Sequence, residues 1–150
     1  MLRSNKKGSE GGDNIMKRLG TSLLLVNDTE KILLFLRDDK PEIPYPNMWD
    51  IPGGHVEPNE TPEQCIVREM KEEMDLDLTS PDLFLITEFP DRIEHTFWCQ
   101  MNLNIEEIDL TEGQRLQWFS RSEAAETELA CGFNQVVVAF FEERPWVNDG

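Results

Sequence analysis

The sequence predicts an α/β protein in which two principal helices pack on a mixed β-sheet. Three observations point there. The chain has 150 residues with 39% apolar content, enough for one domain with one sizeable core. Several short runs rich in Val, Leu, Ile, Phe and Trp are separated by turn chemistry. Two segments of helical length, one of them strongly capped, are spaced among those runs.

Taken in order, residues 1–17 are polar and rich in Gly, Ser and Asn, and read as a flexible tail ahead of a domain spanning 18–150. Residues 19–26 and 31–37 are strand-like and flank Asn27-Asp28-Thr29-Glu30, a hairpin signal. Residues 38–47 hold three prolines and form a loop. Trp49-Asp50-Ile51 is a short extended piece stopped by Pro52-Gly53-Gly54. Thr61 is then an N-cap, Pro62 suits the first helical position, and Gln64 completes a capping box, so a helix runs to about Met74. Residues 83–89 and 96–103 are strands around a turn at Pro90-Asp91-Arg92, and 115–119 is a further strand. Residues 134–143 are apolar on more than one side; their length and C-terminal charges favour a helix on the sheet over a strand.

Composition narrows the function. The net charge is −16, which repels a nucleic acid duplex. Cys65, Cys99 and Cys131 are odd in number and widely spaced, and His55 and His95 are the two histidines. A disulfide framework and a His/Cys zinc site are both disfavoured, and the cytoplasm is the expected location. No apolar run approaches the roughly 18 residues that span a bilayer, so no membrane partner is expected.

The capped helix carries the chemistry. At about 100° per residue, Glu72 and Glu73 lie about 60° and about 40° to either side of Glu69. Val67, Met70 and Met74 fall on the opposite, apolar arc, with Ile66 at the border. Three carboxylates on one face are commonly a solvated acidic surface. They are also the oxygen ligands that Mg²⁺ or Mn²⁺ prefers, and a hard cation would offset their mutual repulsion.

The segment before and through this helix reads Gly54, five residues, Glu60, seven residues, Arg68-Glu69, Met70, Lys71, Glu72-Glu73, Met74, Asp75, Leu76. This resembles the Nudix box, with Asp75 standing where that family usually has glycine. The resemblance implies a Nudix-type α/β/α sandwich with a mixed sheet and a metal-dependent pyrophosphohydrolase using Mg²⁺ or Mn²⁺. It implies that Glu72, Glu73 and the carbonyl of Gly53 hold metal, that Glu69 binds metal or serves as general base, and that Glu60 and Arg68 form a structural ion pair beside Gly54. Asp75 is expected to end the helix in the left-handed region, which Asp tolerates better than most residues.

Beyond the box, Glu88-Phe89-Pro90-Asp91-Arg92 and Glu112-Gly113-Gln114 with Gln117-Trp118 are similar to MutT-type Nudix enzymes. That likeness implies a further metal-binding, catalytic role for Glu112 and substrate contacts from Arg37, Phe89, Arg92 and Asn134. Asn134 would read a purine edge, or cap the last helix, or both. The expected partner is a small-molecule nucleotide: a nucleoside triphosphate such as 8-oxo-dGTP, with ADP-ribose, a dinucleoside polyphosphate or a nucleotide sugar as alternatives. A non-catalytic nucleotide sensor is the reading from another class, and the intact Glu69, Glu72 and Glu73 argue against it. The oligomeric state is open.

Overall fold

The computed structural model describes residues 17–147, so the expected tail lies outside the described residues, apart from Lys17. Seven strands form one mixed sheet: β1 (Arg18–Val26), β2 (Ile32–Leu36), β3 (Trp49–Asp50), β4 (Gly53–His55), β5 (Asp82–Glu88), β6 (Arg92–Gln100) and β7 (Arg115–Phe119). Helices α1 (Pro62–Met74), α2 (Arg121–Ala125) and α3 (Asn134–Glu143) complete the fold. β1 and β6 run parallel along nine residue pairs, from Arg18 beside Arg92 to Val26 beside Gln100. The other pairings are antiparallel.

Both faces of the sheet are covered, which explains the near-continuous apolar run in β1. Leu23, Leu25 and Leu33 pack with Ile66, Met70 and Met74 of α1. Leu24, Val26, Ile32 and Leu34 pack on the other face with Ala124, Val136, Val137, Phe140 and Phe141. The result is helix, sheet, helix. Ile66, expected at the border of the acidic face, is fully buried in the α1 core. The structure departs from the sequence reading in several places. β6 runs from Arg92 to Gln100 rather than 96–103, because Arg92 of the expected turn already joins the ladder with β1. Gly53-Gly54, expected to stop an extended piece, open the strand β4 against β1. α2 was not anticipated, although Ser120 and Glu123 form its capping box.

The central irregularity positions the site. β1 and β2 remain paired only at Val26 and Ile32. Past that point they separate, with β3 lying along β2 and β4 lying along β1. The Trp49–His55 segment thus crosses an opening at one end of the sheet.

α1 starts and stops as its sequence requires. Thr61 accepts from Gln64 N, and the Gln64 side chain accepts from Thr61 N. Asp75 ends the helix at φ 54°, ψ 38°, and its N–H reaches Lys71 and Met70 carbonyls. An L-residue is disfavoured there by its Cβ. Asp75→Gly should therefore raise the melting temperature by about 1–3 °C, the small gain expected for a relieved left-handed position in a chain this size. The Lys71–Asp75 pair that is lost is exposed and contributes little. A fall in melting temperature on this change would show that the aspartate side chain outweighs the backbone term.

Candidate active site

A cleft of about 570 Å³ opens where β1 and β2 separate, and residues of β1, β2, β3, β4, β6, α1 and the adjoining loops line it. One end is acidic. Glu69 and Glu73 of α1 and Glu112 of the loop before β7 face it, with Gly53 and Gly54 alongside. Two glycine features make this packing possible. A Cβ on Gly54 would collide with the Glu69 carboxylate, and one on Gly53 would collide with the Thr21 carbonyl. The Glu112 loop is tied to α1 by the Thr111 N–H donating to the Glu73 carbonyl at 3.3 Å. Gly113 at φ 91° lets the loop pass against Phe35, and Gln114 donates to the Arg37 carbonyl and to Asn47.

Arg68 is the counter-charge of this end. Its Nε donates to Glu60 Oε2 at 2.6 Å and its Nη2 to Glu60 Oε1 at 3.1 Å, a two-pronged pair. Its Nη1 reaches Glu69 at 3.0 Å and Glu72 at 3.2 Å, and Nη2 also reaches the His55 carbonyl. The guanidinium holds the Glu60 carboxyl down at about 2, and the carboxylates in turn raise the Arg68 pKa. Glu73 is in the opposite condition. Burial, then its hydrogen bond with Glu69 and the charges of Glu69, Glu112 and Glu72, push it up to about 9.

The acids are therefore of the type that suits Mg²⁺ or Mn²⁺, with carboxylate oxygens from two elements facing one cleft. Among the described residues, however, no three His, Cys, Asp or Glu side chains converge tightly enough to coordinate one ion as they stand. Arg68 pairs with both Glu69 and Glu72. Glu72, expected beside Glu73, is exposed and does not line the cleft.

The other end of the cleft holds two acid–arginine pairs. Arg37 Nη1 meets Asp50 Oδ2 at 2.9 Å, and Arg92 Nε meets Glu94 Oε1 at 2.8 Å. Asp50 and Glu94 are 4% and 3% exposed, which raises both carboxyl pKa values against the pull of their arginines. Gly20 lies against Glu94, and a Cβ there would stand 2.6 Å from Glu94 Oε1 and displace that carboxylate. Cys131 and Phe133 form the adjoining wall. Burial pushes the Cys131 thiol up to about 11, so it stays protonated.

Of the residues singled out from sequence, Arg37, Gly53, Gly54, Glu69, Glu73, Arg92 and Glu112 come together on the cleft. Glu60 and Arg68 stand behind it. Phe89 is 8% exposed and part of the core, where its ring lies 4.1 Å beneath the Arg92 guanidinium. Asn134 does not line the cleft: its amide bonds Leu129 N–H and the Thr127 carbonyl. It does not cap α3 either, whose N-cap is Phe133. Sequence reasoning missed Asp50 and Glu94. Glu94 had a readable signal, since residues two apart on a strand share a face and Arg92 was already a candidate.

Comparison with known proteins adds to this geometry. The NUDIX domain family matches residues 16–139. An 8-oxo-dGTP diphosphatase of Escherichia coli (strain K12) is 34% identical over 108 residues, covering 70% of this chain and 82% of that protein. An 8-oxo-dGTP diphosphatase of Proteus vulgaris is 48% identical over 46 residues, 29% of this chain and 41% of that protein, so there the match spans less than half the relative's length. The solution structure of the E. coli ORF135 protein superposes with a TM-score of 0.69 at 27% identity, covering 93% of this chain and 100% of that one.

Proposed function

Because this chain belongs to the NUDIX domain family, we propose that it hydrolyses a nucleoside triphosphate, a modified purine nucleotide such as 8-oxo-dGTP, to the nucleoside monophosphate and pyrophosphate. The observation that carries this reading is the two-ended cleft. Acidic Glu69, Glu73 and Glu112 line one end, and the paired guanidiniums of Arg37 and Arg92 line the other. The substrate is suggested by the names of the relatives from E. coli and Proteus vulgaris.

Glu69, Glu73 and Glu112, with the Gly53 carbonyl, would hold Mg²⁺ or Mn²⁺, and Glu72 would join them only on leaving Arg68. A cation bound there would neutralise charge on the polyphosphate and lower the pKa of a water. Glu69 would take a proton from the attacking water as its oxygen bonds to phosphorus. The phosphoanhydride P–O bond on the opposite side breaks, and its electron pair leaves with pyrophosphate if the α phosphorus is attacked or with the nucleoside monophosphate if the β phosphorus is attacked. Arg68 keeps the Glu69 carboxylate oriented against Gly54 while Glu60 keeps Arg68 in place. Arg37 and Arg92 offer their unused N–H groups to the nucleoside end.

The test is a panel of 8-oxo-dGTP, the ordinary nucleoside triphosphates, ADP-ribose and a dinucleoside polyphosphate, hydrolysed in heavy-oxygen water and read by mass spectrometry. Expected are a monophosphate and pyrophosphate from the triphosphates, with 8-oxo-dGTP among the best substrates. Excess chelator should abolish turnover and Mg²⁺ or Mn²⁺ should restore it. Full activity in chelator would remove the mechanism. Cleavage of ADP-ribose with 8-oxo-dGTP untouched would remove the substrate assignment.

A further inference from the structure

Asn134 opens α3, yet its side chain points back along the chain. Its Oδ1 accepts from Leu129 N–H at 2.9 Å and its Nδ2 donates to the Thr127 carbonyl at 2.8 Å. These two partly buried bonds span five and seven residues and close the 127–134 segment into a loop. The loop carries two successive left-handed residues, Cys131 at φ 61° and Gly132 at φ 76°. A cysteine in that region is strained and persists where its surroundings over-determine it. The outcome of that strained turn is the direction of the Cys131 carbonyl, which accepts from Arg92 Nη2 at 3.1 Å.

Arg92 is otherwise held by Glu94 at Nε, 2.8 Å, and by Asp91 at Nη1, 3.1 Å. A guanidinium has five N–H donors, so three are taken and two remain. Its flat face lies 4.1 Å from the Phe89 ring centroid and 5.4 Å from that of Phe133, the residue preceding Asn134. Every support of Arg92 on the α3 side thus depends on the loop that Asn134 closes.

We propose that Asn134 is a positioning residue that sets the Arg92 guanidinium through the Thr127–Cys131 loop, rather than a group that reads the base. Its effect on turnover rests on the reading of Arg92 as a nucleotide contact; its effect on the loop does not. Losing the latch releases the Cys131 carbonyl and leaves the two free N–H groups of Arg92 misdirected. The acidic end is untouched, so ground-state binding suffers and the chemical step does not.

The experiment compares Asn134→Ala, Asn134→Asp, Arg92→Ala and the Asn134→Ala/Arg92→Ala double variant with the wild type. Steady-state kinetics on 8-oxo-dGTP and dCTP with Mg²⁺ are combined with iodoacetamide labelling of Cys131, followed by peptide mass mapping without nucleotide. Asn134→Ala should raise KM about tenfold with kcat within about twofold, by the same factor for purine and pyrimidine. Asn134→Asp keeps the acceptor for Leu129 but faces the Thr127 carbonyl with a carboxylate oxygen, so it should behave alike. In the Arg92→Ala background the Asn134 change should add nothing, since coupled residues are non-additive. Cys131 labelling should accelerate in both Asn134 variants, and the Asn134 change should accelerate it further in the Arg92→Ala background. A loss confined to the purine with Cys131 labelling unchanged would overturn the proposal, as would fully additive KM effects. If the wild type turns over neither triphosphate, the proposed function fails, and the labelling rates still decide whether Asn134 is the latch.

Discussion

Glutamine in place of Glu69 is expected to lower kcat by about 10²–10⁴-fold under saturating Mg²⁺, the range that a lost general base produces. The same change should stabilise the metal-free protein. Glu69 shares a hydrogen bond with Glu73 in a cleft that also receives the charges of Glu112 and Glu72. Removing that negative charge while keeping shape lessens its repulsion with Glu72 and Glu112, and the partly exposed Arg68–Glu69 pair that is lost offsets only part of the gain. Calorimetry with and without Mg²⁺ would show the variant melting higher than the wild type in chelator and gaining less from added metal. Retention of more than a tenth of wild-type kcat would move the base elsewhere. Glu112 is then the competitor, because it faces the same cleft from an independent loop. Glu112→Gln measured in parallel separates the two.

Arg68→Lys is expected to behave as a loss, not as a conservative change. The guanidinium makes two bonds to Glu60, one each to Glu69 and Glu72, and one to the His55 carbonyl. An ammonium cannot reproduce that planar fork. Its side chain is 23% exposed, so solvent softens the loss without removing it. The expected result is a melting temperature several degrees lower and activity reduced about 10–100-fold, as for residues that orient groups around a metal site. Higher Mg²⁺ should recover part of the activity, since the loosened Glu69 and Glu72 are freed toward the cation. Activity equal to wild type at low Mg²⁺ would show that Arg68 does not orient these carboxylates.

What was legible in the sequence was local. The α1 capping box and the buried runs of β1 and β2 each depend on residues a few positions apart, whereas the left-handed Asp75 and the pairing of Glu60 with Arg68 were expected from the resemblance to the Nudix box. What was not legible depends on chain segments meeting from afar. The parting of β1 from β2, with β4 along one and β3 along the other, has no sequence period to announce it. Asp50 read as part of an extended piece, because its partner Arg37 lies across the proline-rich loop. Helical spacing placed Glu72 with Glu69 and Glu73 correctly on one face. It could not say that Arg68, one turn before Glu72, would pair with it, or that Glu72 would stand outside the cleft.

The parallel union of β1 with β6 sets the order in which the molecule is assembled. Ser22 and Thr96, hydrogen-bonded at 2.9 Å in the finished sheet, lie 74 positions apart in the chain. A growing polypeptide therefore exposes Leu23, Leu24 and Leu25 long before their parallel neighbours exist. Closing so large a loop costs entropy before the contact returns any, which makes this step slow relative to the capped α1 helix nearby. The interval is a window for intermolecular strand pairing, since an unpaired apolar strand is a template for another chain. Chains truncated before Arg92 lack the strand that covers this edge of β1, and they are the products expected in the insoluble fraction.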